Sequence, residues 1–74
     1  MEIKALSNGF VVFDNDIEVM QVKPELVTLI RIFSPTEHFG WRTQITGDHI
    51  GYISFAAESK EHAEDILRRI NEVL

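Results

Sequence analysis

The sequence predicts a single α+β domain: a small antiparallel β-meander of four to five strands, with one C-terminal amphipathic helix packed on it. Three observations carry this expectation. Short apolar runs are separated by Gly, Pro, Asn and Asp turn signals. Between Lys60 and Leu74, the residues Ala63, Ile66, Leu67, Ile70, Val73 and Leu74 recur at three- and four-residue spacing, which makes one apolar stripe on a helix. The chain has 74 residues, the size of one domain, 1–74.

The elements follow in order. Ile3 to Leu6 reads as a first strand, and Ser7-Asn8-Gly9 as a turn, since Asn-Gly is the strongest short-range hairpin signal. Phe10-Val11-Val12-Phe13 is a compact β run that Asp14-Asn15-Asp16 breaks, because these side chains bond their own backbone in turns. Ile17 to Val22 alternates as a strand and ends at Lys23-Pro24-Glu25. Leu26 to Phe33 is rich in β-branched and aromatic residues. After a loop from Ser34 to Gly40, Trp41–Thr46 and His49–Phe55 form a hairpin around Gly47-Asp48, a Gly-first pair suited to a type II′ turn. Ser59 is a natural helix N-cap, and Glu61 lies in the first turn, where the helix dipole favours an acid. Glu64 with Arg68, and Asp65 with Arg69, are spaced as i,i+4 ion pairs.

Alternation along the strands points toward function. Leu26, Thr28, Ile30 and Ile32 share one face of their strand, and Val27, Leu29, Arg31 and Phe33 share the other. Ile17 to Val22 and Phe10 to Phe13 are apolar on both faces in the same way. A helix of this length is a rod about 22 Å long and about 10 Å wide, enough to cover about two strands. A broad sheet with two apolar faces therefore either curls on itself or leaves one face for a second subunit. The expectation is a homo-oligomer, with Val27, Leu29, Arg31 and Phe33 as the self-association face.

Composition bounds the chemistry. Twelve acids against seven bases give a net charge of −5, which repels phosphate backbones at long range and disfavours nucleic acid as a partner. Cysteine is absent, so no disulfide or thiolate metal site forms, and the usage fits a reducing compartment. A core of this size contributes about 3–5 kcal/mol, which a partner subunit often supplements. The acid at position 2 and the lack of an apolar h-region speak against a signal peptide. Leu26 to Phe33 is too short to cross a bilayer. A cytoplasmic protein without membrane contact is expected.

The segment Thr36-Glu37-His38-Phe39-Gly40-Trp41-Arg42, spanning the end of the loop and the start of the hairpin, gathers an acid, an imidazole, two aromatics and an arginine in seven positions. Loops carry recognition, and Trp and Arg are frequent interface anchors. His38, Phe39, Trp41 and Arg42 are thus the candidate partner-binding residues. Catalysis lacks a poised nucleophile and base, and Asp14 and Asp16 flank a turn rather than form a dyad. His38, His49 and His62 stand at no ligand spacing, so no metal or other cofactor is expected. Gly47 and Gly51 lie in a hairpin rather than before a helix, unlike a phosphate-cradling loop. Arg31, Arg42, Arg68 and Arg69 are spread over different elements.

Ile3-Lys4-Ala5-Leu6 with the following Gly9, and Thr36-Glu37-His38, resemble segments of the tryptophan-responsive RNA-binding attenuation proteins. That resemblance implies an all-β, ring-forming, RNA-binding subunit. It covers a small part of the chain, and the family's Lys-x-Arg pair beside a glycine has no counterpart here. The family also lacks a terminal helix of this kind. A looser likeness in size and charge holds with short phage-encoded inhibitors built as a meander plus one helix. The leading expectation is a noncatalytic protein-interaction module. The alternatives are an acidic inhibitor, of phage or similar origin, that blocks a basic protein surface, and an RNA-binding ring subunit.

Overall fold

The structure is a computed structural model that describes residues 2–14 and 19–74. Its strands are β1 (Glu2–Ala5), β2 (Val11–Asp14), β3 (Val19–Val22), β4 (Val27–Phe33), β5 (Arg42–Gly47) and β6 (Gly51–Ala56), followed by helix α1 (Lys60–Val73). The α+β class and the closing helix are as expected, but the described residues form six strands, in two antiparallel sheets, β1-β2-β3 and β4-β5-β6. The division falls at a short 3₁₀ turn, Pro24–Leu26. Proline has no N–H to give to a ladder, so the chain leaves the first sheet there and opens a second. The expected start of β3 at Ile17, and the Asn15-Asp16 part of the preceding turn, lie outside the described residues.

Each sheet turns one apolar face inward. In the first, Ile3 and Met20 flank Phe13, and Ala5 and Val22 flank Val11. In the second, Ile30, Ile45 and Ile53 stand in one cross-strand row, and Ile32, Thr43 and Phe55 in the next. The rings of Phe13 and Phe55 meet at 5.8 Å between centroids and join the two sheets. Ala63, Ile66 and Ile70 of α1 are fully buried in the same core, and the helix packs against β1, β4 and β5. Two apolar sheet faces and one helix thus share a single core, in a molecule 39 × 21 × 21 Å. The inner faces are covered without a barrel.

Thr43 is the polar residue in that core, and its Oγ1 donates to the Ala63 carbonyl at 2.7 Å. This bond satisfies the buried hydroxyl and fixes the height of the helix over β5. At the N-terminus of α1, Ser59 Oγ accepts from the His62 N–H and His62 Nδ1 accepts from the Glu58 N–H. His62 stands where a capping box has Glu or Gln, but its ring nitrogen takes the N–H of Glu58, one residue before the cap, rather than that of Ser59 itself. Arg68 takes Asp65 and Glu72 as its ion-pair partners, rather than the expected Glu64.

Two local departures matter for the outer surface. The first is a register shift between Val27 and Leu29, a bulge at Thr28, whose hydroxyl donates to the Thr46 carbonyl at 3.0 Å. A one-residue slip exchanges faces. Val27 therefore pairs with Gly47 and packs on the core, while Leu29, Arg31 and Phe33 stay outside. The second is the β5–β6 turn. Gly47 belongs to β5, the loop is Asp48-His49-Ile50, and His49 has φ +64°. A Cβ on Gly47 would collide with the Leu26 carbonyl oxygen, which itself accepts from the Asp48 N–H at 2.9 Å. That close approach keeps the glycine in the strand and moves the turn past the Gly47-Asp48 pair.

Candidate functional site

The outer faces of the two sheets differ in chemistry. The first carries Glu2, Lys4, Val12, Asp14, Val19 and Gln21, a polar surface with one prominent apolar residue, Val19. The second carries three cross-strand rows: Leu29, Thr46 and Tyr52; Arg31, Gln44 and Ser54; and Phe33, Arg42 and Ala56. Leu29 and Tyr52 are among its exposed side chains, Tyr52 at 69 %. The nine residues of these rows include two arginines and no carboxylate, on a chain whose net charge is −5.

The loop before β5 closes over one end of this face. Thr36 N–H donates to the Phe39 carbonyl at 2.7 Å, and Phe39 N–H donates to Thr36 Oγ1 at 3.2 Å. This paired bond folds the loop back and presents Phe39 beside the sheet. The Phe39 ring centroid lies 5.1 Å from Arg42 Cζ, and the Phe33 centroid 5.0 Å from it. The Arg42 guanidinium is therefore within cation–π distance of both rings, which restrains a long side chain. Arg31 Cζ lies 4.5 Å from the Phe33 centroid.

Beside Arg42 is a recess of about 440 Å³ lined by Phe39, Gly40, Trp41, Arg42, Tyr52, Ser54, Ala56 and Ala57. Its size falls in the range of ligand pockets. Two polar atoms of lining residues, Arg42 Nε and Ser54 Oγ, are buried and have no hydrogen-bond partner among the described residues. A buried polar atom left unpaired costs about 1–3 kcal/mol. The backbone around the recess is satisfied differently, for Ala57 N–H donates to the Trp41 carbonyl at 2.9 Å.

The two residue groups singled out in the sequence thus converge. Phe39, Trp41 and Arg42 come together with Leu29, Arg31 and Phe33 on one surface. His38 is exposed in the loop, and Val27 is turned to the core side. The sequence reading missed Tyr52, Ser54 and Ala56 of β6. Their alternation with the buried Ile53 and Phe55 was the available signal, once β6 was paired with β5.

A second, shallower groove of about 360 Å³ runs between β4 and the end of α1, with Leu29, Leu67 and Leu74 in its walls. Among the described residues no cluster of three metal-ligating side chains forms, and no helix is long and apolar enough to cross a membrane. No family model matches the sequence, and the comparisons with curated proteins and with solved structures found no match either.

Proposed function

We propose that the protein is a noncatalytic interaction module that binds another protein through the outer face of its second sheet. The supporting observation is a conjunction on one surface. Exposed Leu29, Phe39 and Tyr52 share a surface with two arginines, each within cation–π distance of a phenylalanine ring, and the paired rows of that face hold no acid, in a chain of net charge −5. Large apolar side chains beside fixed arginines are the composition of interface anchors, and an exposed apolar patch of this kind marks an interaction site.

Self-association is the second reading, because a second copy would also cover Leu29 and Phe33. Charge ranks it lower. Two copies meeting through this face would oppose Arg31 and Arg42 with the same arginines, and the face supplies no carboxylate to balance them. A partner with an acidic surface fits better.

Affinity capture from cells of the source organism tests the proposal, with wild type, Tyr52→Ala and Val19→Ala as baits. The expected outcome is one protein retained by wild type and by Val19→Ala, released at high salt, and lost with Tyr52→Ala. Equal retention by all three baits would refute the assignment of this face. Retention that disappears after ribonuclease treatment would point to RNA instead. A light-scattering mass of twice 8.5 kDa that Tyr52→Ala returns to the monomer value would favour the self-association reading.

A further inference from the structure

We infer that the free edge of β6 pairs with the β6 edge of a second copy of the chain, antiparallel about a two-fold axis at Ser54, so that each copy lays its Tyr52 over the recess of the other. The inference stands apart from the reading of the outer face, which such a dimer leaves open on both copies.

A strand at the edge of a sheet has unpaired N–H and C=O groups, because alternate residues direct both groups away from their one neighbour. Natural edges are blunted by shortness, charge, proline or a bulge. Three of the four edges here are blunted in these ways. β1 has four residues and holds Glu2 and Lys4, and β3 has four residues and runs into Pro24. β4 carries Arg31 and the bulge at Thr28. By contrast, Gly51-Tyr52-Ile53-Ser54-Phe55-Ala56 has no charge and no proline, and its register with β5 runs without a shift. Among the described residues β6 pairs with β5 alone. An open edge of this kind takes up an extended strand.

Self-complementarity makes a second copy the occupant. Gly51 has φ +66°, a left-handed conformation that ends the regular strand, so the stretch free to pair is residues 52–56, with Ser54 at its midpoint. Opposed residues of antiparallel strands share one side of the sheet. Copies centred on Ser54 therefore set Ile53 opposite the partner's Phe55 on the inner side, and Tyr52 opposite the partner's Ala56 on the outer side. An axis between two residues would set inner side chains against outer ones. Ala56 stands beside Arg42 in its cross-strand row, and with Gly40 and Ala57 it lines the recess of about 440 Å³. The partner's exposed Tyr52 ring falls where these small residues leave room, and the symmetry makes the contact twice.

Charge does not forbid this arrangement. Two chains of net charge −5 repel each other, but β6 itself has no charged residue. Arg31 lies in the row of Ser54 on β4, so the two copies' Arg31 stand five strand spacings apart, about 24 Å. That is well beyond the screening length of about 8 Å at physiological salt. Salt screens the remaining repulsion, so the edge dimer tightens as salt rises.

The test uses the full chain. Light scattering at high micromolar concentration is expected to give twice 8.5 kDa for wild type, for Val19→Lys and for Arg31→Glu, with tighter association at higher salt. Tyr52→Lys replaces the ring by a cation beside the partner's Arg42, and is expected to weaken the dimer about tenfold or more. Circular dichroism checks the fold of each variant. A second measurement needs no variant. In a mixture of isotopically labelled and unlabelled wild type, an isotope-filtered NOE is expected between the Tyr52 ring and the Ala56 methyl. Within one chain these residues are about 13 Å apart along the strand, so the contact arises between copies.

A monomeric mass up to millimolar concentration would overturn the inference. So would a dimer without the Tyr52–Ala56 contact, one that a folded Tyr52→Lys leaves intact, or one that dissociates as salt rises. Loss of the dimer in Arg31→Glu would assign association to the outer faces and overturn the edge pairing too. The reading of the face fails separately. If the NOE is present and no other protein is captured, the edge dimer stands and the face reading falls; if the chain is monomeric and captures a protein through Tyr52, the reverse holds.

Discussion

Tyr52 and Ile53 are neighbours in β6, and their truncation to alanine separates the surface from the core. Ile53 is 6 % exposed and pairs with the fully buried Ile45, whereas Tyr52 is 69 % exposed. Removing three buried carbons from an isoleucine costs about 2–5 kcal/mol, depending on how far the cavity collapses. At about 0.05–0.15 kcal/mol per residue, a domain of this length has a total stability of about 4–11 kcal/mol. Ile53→Ala thus removes a large share of it, and lowers Tm by at least about 10 °C in a domain this small. Tyr52→Ala loses little packing and some strand preference, under about 1 kcal/mol. Urea unfolding followed by far-UV circular dichroism gives both values, with an unchanged m showing that the unfolded reference is the same. A Tyr52→Ala cost equal to that of Ile53→Ala would refute the reasoning, because Tyr52 would then be a core residue and the face would lose its anchor.

Three further outcomes follow from particular contacts. Thr43→Val keeps the shape of the side chain but removes the bond to the Ala63 carbonyl; a loss of about 1 kcal/mol is expected in thermal unfolding. Gly47→Ala puts a methyl against the Leu26 carbonyl and the Ile50 side chain, so it destabilises by about 1–3 kcal/mol, or shifts the β5–β6 turn in amide exchange. Asp65 is held below its ordinary pKa, first by the hydrogen bond from Arg68 and then by the surrounding positive charges. With its folded value depressed, the pair stabilises above the unfolded value and stops doing so as pH falls through the folded one. An NMR titration is expected to show the Asp65 carboxyl titrating higher in Arg68→Ala than in wild type.

The helix was legible because its signals are local. Ser59, the acid at Glu61 and the spacing of Ala63, Ile66 and Ile70 act within one element, and the structure uses them as a cap and a buried stripe. The strands were legible as segments for the same reason. Their grouping into two sheets was not, since it depends on where the chain stops pairing, here at the turn around Pro24. The alternation of β4 read correctly from Leu29 onward and failed at Val27. The bulge at Thr28 adds a residue that no composition rule marks, and one added residue reverses the face.

The candidate surface was half legible. Trp41, Arg42 and Phe39 stood out by residue type, and Leu29, Arg31 and Phe33 by alternation. That these two groups share one face is a consequence of β4 pairing with β5, a long-range fact. The contribution of Tyr52 and Ser54 required the next pairing, of β5 with β6. That Arg42 and Ser54 line one recess is likewise a fact of three dimensions, since it needs β5 and β6 side by side.

Site-specific photocrosslinking in cells tests the central claim most directly, with a photoreactive phenylalanine analogue placed at Tyr52 or, as control, at Val19. Both positions are highly exposed, Val19 at 70 % on the outer face of the first sheet. The account predicts a defined protein adduct at position 52 and none at position 19. An adduct at position 19 alone, or equal adducts at both, would contradict it.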